Sequence, residues 1–279
     1  MPIIEHRGAA AHYAEAGSGE SIVLVHGSCG AGGQWTGVAR NLHGHARITL
    51  PDLYGYGATA GWPGRRALTL ADEADLLHAM IARQGAPVHL VGHSYGGAVA
   101  LRYALGRPEN VATLTLIEPV AFNLLRFGSR GDKSSLEEIK CLAGGIWQSV
   151  ARGEDWPAMA RFVDYWNGAG AWNRLDDDLR QALAAKTRKV SQDFWAVLSE
   201  DVSLSDVASL AMPTAIVSGA LSPLPAQRIA RLFEAAARGA TVKVVPDGGH
   251  MLPLTHAERI AGVIAAHVFA HPAPARMAA

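Results

Sequence analysis

Short apolar runs alternate with stretches of helical periodicity along most of this chain. Four runs read as buried strands: "SIVLVHG" (21–27), "PVHLVG" (87–92), "TLTLI" (113–117) and "TAIVSG" (214–219). "ARITLPD" (46–52) and "TVKVVPD" (241–247) are weaker members of the set. Between them, Leu70, Ala74, Leu77 and Ile81 share one face of a predicted helix that Gly85 is placed to end. Further helices are predicted through "PAQRIARLFEAAARG" and "THAERIAGVIAAHVF". Strands that are apolar along their whole length, alternating with helices, predict a mostly parallel, twisted sheet covered on both faces.

The alternation stops between about 120 and 208. That segment holds Trp147, Trp156, Trp166, Trp172 and Trp195, five of the seven tryptophans, and Leu175, Leu179 and Leu183 recur four apart. It predicts a helical insertion lying over the sheet, with the tryptophans mostly forming its own core and one or two lining a pocket. The expected organisation is an α/β core of residues 1–119 and 209–271, the insertion 120–208, and a frayed tail 272–279.

Bulk properties narrow the class. The 279 residues are 49 % hydrophobic, enough for a sizeable core, and 25 basic side chains balance 25 acidic ones. Without a basic surplus, neither nucleic acid nor an acidic membrane surface is an expected partner. Cys29 and Cys141 are too few for a disulfide framework and read as free thiols. No leader-like pattern opens the chain and no apolar run reaches the roughly 18–20 residues that span a bilayer, so the expectation is a cytoplasmic protein. A small-molecule substrate is the expected partner, and a homo-oligomer is compatible with the sequence.

Chemistry concentrates in "VHLVGHSYGGAVALRYAL". A buried strand ends in Gly92-His93-Ser94-Tyr95-Gly96 and turns directly into a helix, which is the G-x-S-x-G pattern in its strand–turn–helix context. Side chains at 92 and 96 would collide with backbone in so sharp a turn, and the turn holds Ser94 at a helix N-terminus that favours developing negative charge. The bland alternative is a tight turn carrying an inert serine.

With this motif the sequence resembles the α/β-hydrolase fold family over nearly its whole length. "VLVHGSCGAGGQW" is similar to the family's oxyanion loop, "LPDLYGYGAT" to its D-x-x-G-x-G turn, and "PDGGHMLPLTH" to its histidine loop. The resemblance implies Ser94 as nucleophile, His250 as general base, and the backbone N–H groups of Ser28 and Tyr95 as oxyanion donors. It asks for no cofactor and no metal. His26 and His93, two others of the twelve histidines, are expected to hold loop geometry. The chain departs from the family where the acid belongs: Gly219-Ala220-Leu221-Ser222 has serine in place of aspartate, and serine does not ionise near neutral pH. Glu118, at the tip of the strand next to the nucleophile strand, is the expected substitute, as in certain haloalkane dehalogenases and lipases of the family. Asp247, or no carboxylate at all, are the competing readings.

Other polar features take plainer readings. Asp176, Asp177 and Asp178 start a helix and complement its dipole. His43 and His45 belong to a surface loop, and Cys29 is a packing residue. The resemblance then implies a serine hydrolase acting on a small or medium ester, thioester or lactone. The alternatives are a carbon–carbon bond hydrolase of the ring-cleavage-product type and a non-catalytic binding protein. A serine at 94 argues against epoxide hydrolase or dehalogenase chemistry, which needs an aspartate there.

Overall fold

The computed structural model describes residues 2–42, 44–84 and 87–273. Gly85 as a helix end, His43 and the tail from 274 onward lie outside them. Eight strands form one sheet: β1 (Ile3–His6), β2 (Ala9–Ala16), β3 (Glu20–Val25), β4 (Ala46–Pro51), β5 (Val88–His93), β6 (Val111–Ile117), β7 (Thr214–Gly219) and β8 (Thr241–Val245), in the order β1-β2-β4-β3-β5-β6-β7-β8. Pairings of β2 with β1 and β4 are antiparallel and all others are parallel.

Alternate residues of the central strands serve two different cores. Ile22, Leu24, Val91, Ile117 and Val217 face α1 (Thr36–Leu42) and the last helix, where Trp35, Val38, Ile260 and Ile264 cover them. Val23, Val25, Leu90, Leu114, Leu116 and Ile216 face α2 (Leu70–Gln84) and α3 (Tyr95–Gly106) on the opposite side. All four expected positions of α2 (Leu70, Ala74, Leu77 and Ile81) are buried there. Burial on both faces is why these strands read as unbroken apolar runs. The β1–β2 hairpin was not expected. Its alanine-rich residues bury alternately, and it turns on Arg7 and Gly8, both with positive φ (51° and 81°).

Between β6 and β7 run α4 (Arg130–Ala151), α5 (Asp155–Asn167), α6 (Asp177–Ala184), α7 (Thr187–Leu198) and α8 (Leu204–Ala208). Ser129 and Asp132 cap α4 reciprocally, and Asp176 caps α6 by accepting the Leu179 N–H at 2.7 Å. α9 (Leu224–Ala236), the short α10 (Leu252–Thr255) and α11 (Ala257–Ala270) complete the chain. The inserted helices have no separate core. Leu136, Ile139, Ile146, Trp166 and Phe194 belong to the same apolar cluster as Leu114 and Leu116 of the sheet. Of the tryptophans, Trp166 and Trp172 are buried, whereas Trp156 and Trp195 are exposed.

Candidate active site

The C-terminal ends of β5 and β6 and the loop after β8 bring Ser94, Glu118 and His250 together. At the end of β5 the chain reverses so tightly that Ser94 adopts φ 53° and ψ −118°, a region few non-glycine residues occupy. A Cβ on Gly92 would lie 2.3 Å from the Gly96 carbonyl oxygen, and one on Gly96 would lie 2.3 Å from that of His26. Both positions therefore require glycine. The Ser94 N–H donates to the Ile117 carbonyl at 3.0 Å, so the strained turn is tied to β6.

Ser94 Oγ lies 2.9 Å from His250 Nε2, and His250 Nδ1 lies 3.0 Å from Glu118 Oε2. Glu118 is fully buried, and its other oxygen accepts the Gly219 N–H at 2.6 Å. The glutamate thus reaches from β6 past the end of β7 to the histidine loop. Ser222, where the family places its acid, is buried, and its hydroxyl has no hydrogen-bond partner among the described residues. Asp247 points elsewhere: it is exposed and pairs with Arg259 at 2.5 Å, which holds its carboxyl below the usual range.

His93 and His26 are structural links. The His250 carbonyl can only accept, so His93 donates to it from Nε2 (2.8 Å) and receives Gln34 Nε2 at Nδ1 (3.2 Å). Gln34 in turn accepts the Gly27 N–H at 3.1 Å. His26 donates from Nδ1 to the Gly27 carbonyl and accepts the Leu53 N–H at Nε2. Burial lowers His26 to about 4 and His93 to about 3. The unfolded chain, with histidines near 6.5, then binds more protons than the folded one below that pH. Stability is full above about pH 6.5 and falls as pH drops toward 4, by about 1.4 kcal/mol per pH unit for each histidine. Urea unfolding between pH 8 and pH 4 measures this slope, and His93→Gln should flatten it.

Two features went unforeseen. Trp166, from α5, stacks on the His250 ring with centroids 4.0 Å apart and planes 26° apart. Ser28 contacts a buried charge cluster. Lys189 Nζ of α7 bonds Glu73 Oε1 of α2 at 3.0 Å and also bonds Asp193. Asp193 Oδ2 accepts the Ser28 hydroxyl at 2.6 Å and the Tyr56 hydroxyl at 2.5 Å, and Tyr95 OH donates to Glu73 at 3.3 Å. Burial alone would lower the Lys189 pKa, but Asp193 and Glu73 outweigh it and raise it. Burial raises Glu73, opposed by Lys189. Both residues expected to supply oxyanion donors therefore have their side chains anchored in this one cluster.

Cys29 (φ 62°) is half-buried with its sulfur 4.0 Å from Met159 Sδ, and burial pushes its thiol up to about 12. It carries no thiolate at neutral pH. Ser94 and His250 open onto a cleft of about 680 Å³ that Leu175, Leu179 and Leu183 help to line.

The model of the alpha/beta hydrolase family matches residues 22–263. This chain belongs to that family. Its eight-stranded, mostly parallel sheet with flanking helices is the α/β-hydrolase fold. Lipase LipV of Mycobacterium tuberculosis is 28 % identical over 261 residues, covering 87 % of this chain and 91 % of the lipase. The 2-hydroxy-6-oxo-2,4-heptadienoate hydrolase of Pseudomonas putida is 34 % identical over 188 residues, 65 % of this chain and 61 % of that enzyme. Among solved structures, MGS-M2, an alpha/beta hydrolase enzyme from a Medee basin deep-sea metagenome library, superposes with a TM-score of 0.81. It covers 99 % of this chain and all of its own, and at 15 % identity it shows the shared fold alone. The chain is a hydrolase of the alpha/beta family. Among the described residues, no helix is long and apolar enough to cross a membrane.

Proposed function

We propose that this chain is a serine hydrolase that cleaves a carboxylic ester, thioester or lactone through an acyl-enzyme, with Ser94, His250 and Glu118 as its triad. The observation that carries the reading is the unbroken relay from Ser94 Oγ through both ring nitrogens of His250 to Glu118. Ser94 attacks the carbonyl carbon as His250 takes its proton, and Glu118 holds Nδ1–H and steadies the imidazolium. The oxyanion faces the N–H groups of Ser28 and Tyr95. Tyr95 is the first residue of α3, so its N–H has no carbonyl one turn back within the helix. Each such donor is worth about 10²–10³ in turnover. His250 then protonates the leaving group, and water releases the acyl chain by the reverse sequence.

The likeness to the heptadienoate hydrolase favours a second reading, attack of the same residues on a carbon–carbon bond. Its substrates are coloured dienols in that family branch, so loss of colour separates the two. A fluorophosphonate probe tests the common part without a known substrate. Native protein should label rapidly and the Ser94→Ala variant not at all. Equal, slow labelling of both, in folded protein, sinks the triad and leaves a binding protein.

A further inference from the structure

Two spaces of very different size meet at Ser94. The large cleft of about 680 Å³ is lined by His250, Gln34 and the leucines of the inserted helices. The second is a pocket of about 20 Å³ that Tyr95, Val120, Phe122, Asp193, Phe194 and Val197 help to line. Ser28, Ser94, Phe162 and Trp166 border both. His250 borders only the cleft, and Tyr95 only the pocket.

Resting on the triad reading above, the geometry points to a short-acyl ester of a bulky, largely apolar alcohol: the acyl group enters the small pocket and the alcohol lies in the cleft. The argument follows the proton. When Ser94 Oγ bonds to the carbonyl carbon, the carbon–oxygen bond to the alcohol breaks and the departing oxygen takes its proton from His250 Nε2. That oxygen must therefore lie against His250, on the cleft side. The carbonyl oxygen turns to the N–H groups of Ser28 and Tyr95. Of the four groups on the tetrahedral carbon, only the acyl chain is left, and the direction left to it is the small pocket beside Tyr95.

Size then sets the chain length. A single water needs roughly 10–15 Å³ on the same measure, so about 20 Å³ admits one or two heavy atoms beyond the carbonyl. The walls give little, because Val120, Phe122, Phe194 and Val197 are all buried. α7, which carries the last two, is held by the Lys189 cluster. Overpacking such a wall distorts side chains that already sit tightly. The cleft imposes no such limit, and its leucines offer apolar surface to the alcohol.

The test is a matrix of esters on the unaltered protein. Along 4-nitrophenyl acetate, butyrate, hexanoate and octanoate, kcat/KM should fall at least 100-fold from acetate to hexanoate. Along ethyl, hexyl and decyl acetate it should hold or rise. Val197→Ala should move the acyl optimum toward butyrate and leave the acetate series unchanged in order. A rate that rises with acyl length, or a flat acyl series, overturns the assignment while fluorophosphonate labelling of Ser94 still upholds the triad. No turnover of any ester together with no labelling overturns both.

Discussion

Glu118→Gln should lower kcat for ester hydrolysis by about 10²–10⁴ with KM little changed, in line with the loss of a triad acid elsewhere. Glutamine fills the same space, so the effect is one of proton placement. Glu118 now receives two N–H groups, from Gly219 on Oε1 and from His250 on Oε2. A glutamine has one oxygen and one NH₂. If its oxygen accepts from Gly219, its NH₂ faces His250 Nδ1 and forces the proton onto Nε2. The ring then donates toward Ser94 and no longer accepts its proton. Asp247→Asn is the control, since that side chain pairs with Arg259 at the surface and should leave the rate alone. Steady-state kinetics with 4-nitrophenyl acetate decides, provided the variant unfolds at the native temperature. An unchanged kcat removes Glu118 from the mechanism.

The second large effect is expected from Lys189→Met. Methionine fills the space but leaves Glu73 and Asp193 buried without their cation, which typically destabilises by about 3–5 kcal/mol. At roughly 2–4 °C per kcal/mol for a chain of this size, thermal unfolding should shift down by about 6–20 °C. The sign with pH is specific. Burial already raises Glu73, so its folded pKa lies above its unfolded value, and the variant should push it further. A carboxyl of that kind adds stability at low pH and loses it as pH rises through the folded pKa. The gap between variant and native protein should therefore widen from pH 4 to pH 8 in calorimetry. A uniform gap would mean that lost packing, not charge, is responsible. Such a cluster is weak evidence for stability, since apolar residues in its place are often as good. What the structure shows is that it holds the Ser28, Tyr56 and Tyr95 hydroxyls.

The central strands and the Ser94 turn were legible for different physical reasons. β5, β6 and β7 bury both faces, so each reads as an unbroken apolar run. The turn demands glycine at 92 and 96 through contacts among near neighbours, which leaves a local signature. Glu118 was legible because a charge directly after a buried strand is costly unless paired, and its partner follows from the absent acid at Ser222. The β1–β2 hairpin escaped because alanine gives little alternation, and an Arg-Gly turn lacks the usual Asn-Gly signal.

The charge cluster escaped for another reason. Glu73 and Lys189 are 116 residues apart, and Ser28 and Asp193 are 165 apart. Lys189 and Asp193 lie four residues apart on α7, a spacing common to exposed helical ion pairs. Burial alone distinguishes them, and periodicity did not reveal it. Nor did it separate Trp166 from its four companions, because helical spacing gives a face and not what the face meets.

The stacking of Trp166 on His250 and the grip of Asp193 on Ser28 together limit how this architecture can be rebuilt. A segment between β6 and β7 that only roofed the cleft could be exchanged between relatives as a module, retuning selectivity and sparing turnover. Here the same segment stacks on the His250 ring and anchors the Ser28 hydroxyl. A graft that swaps it must bring matching partners for His250, Ser28 and Glu73, or sacrifice rate with selectivity. Directed evolution aimed at the roof of this site should thus find its changes paired with substitutions in the core.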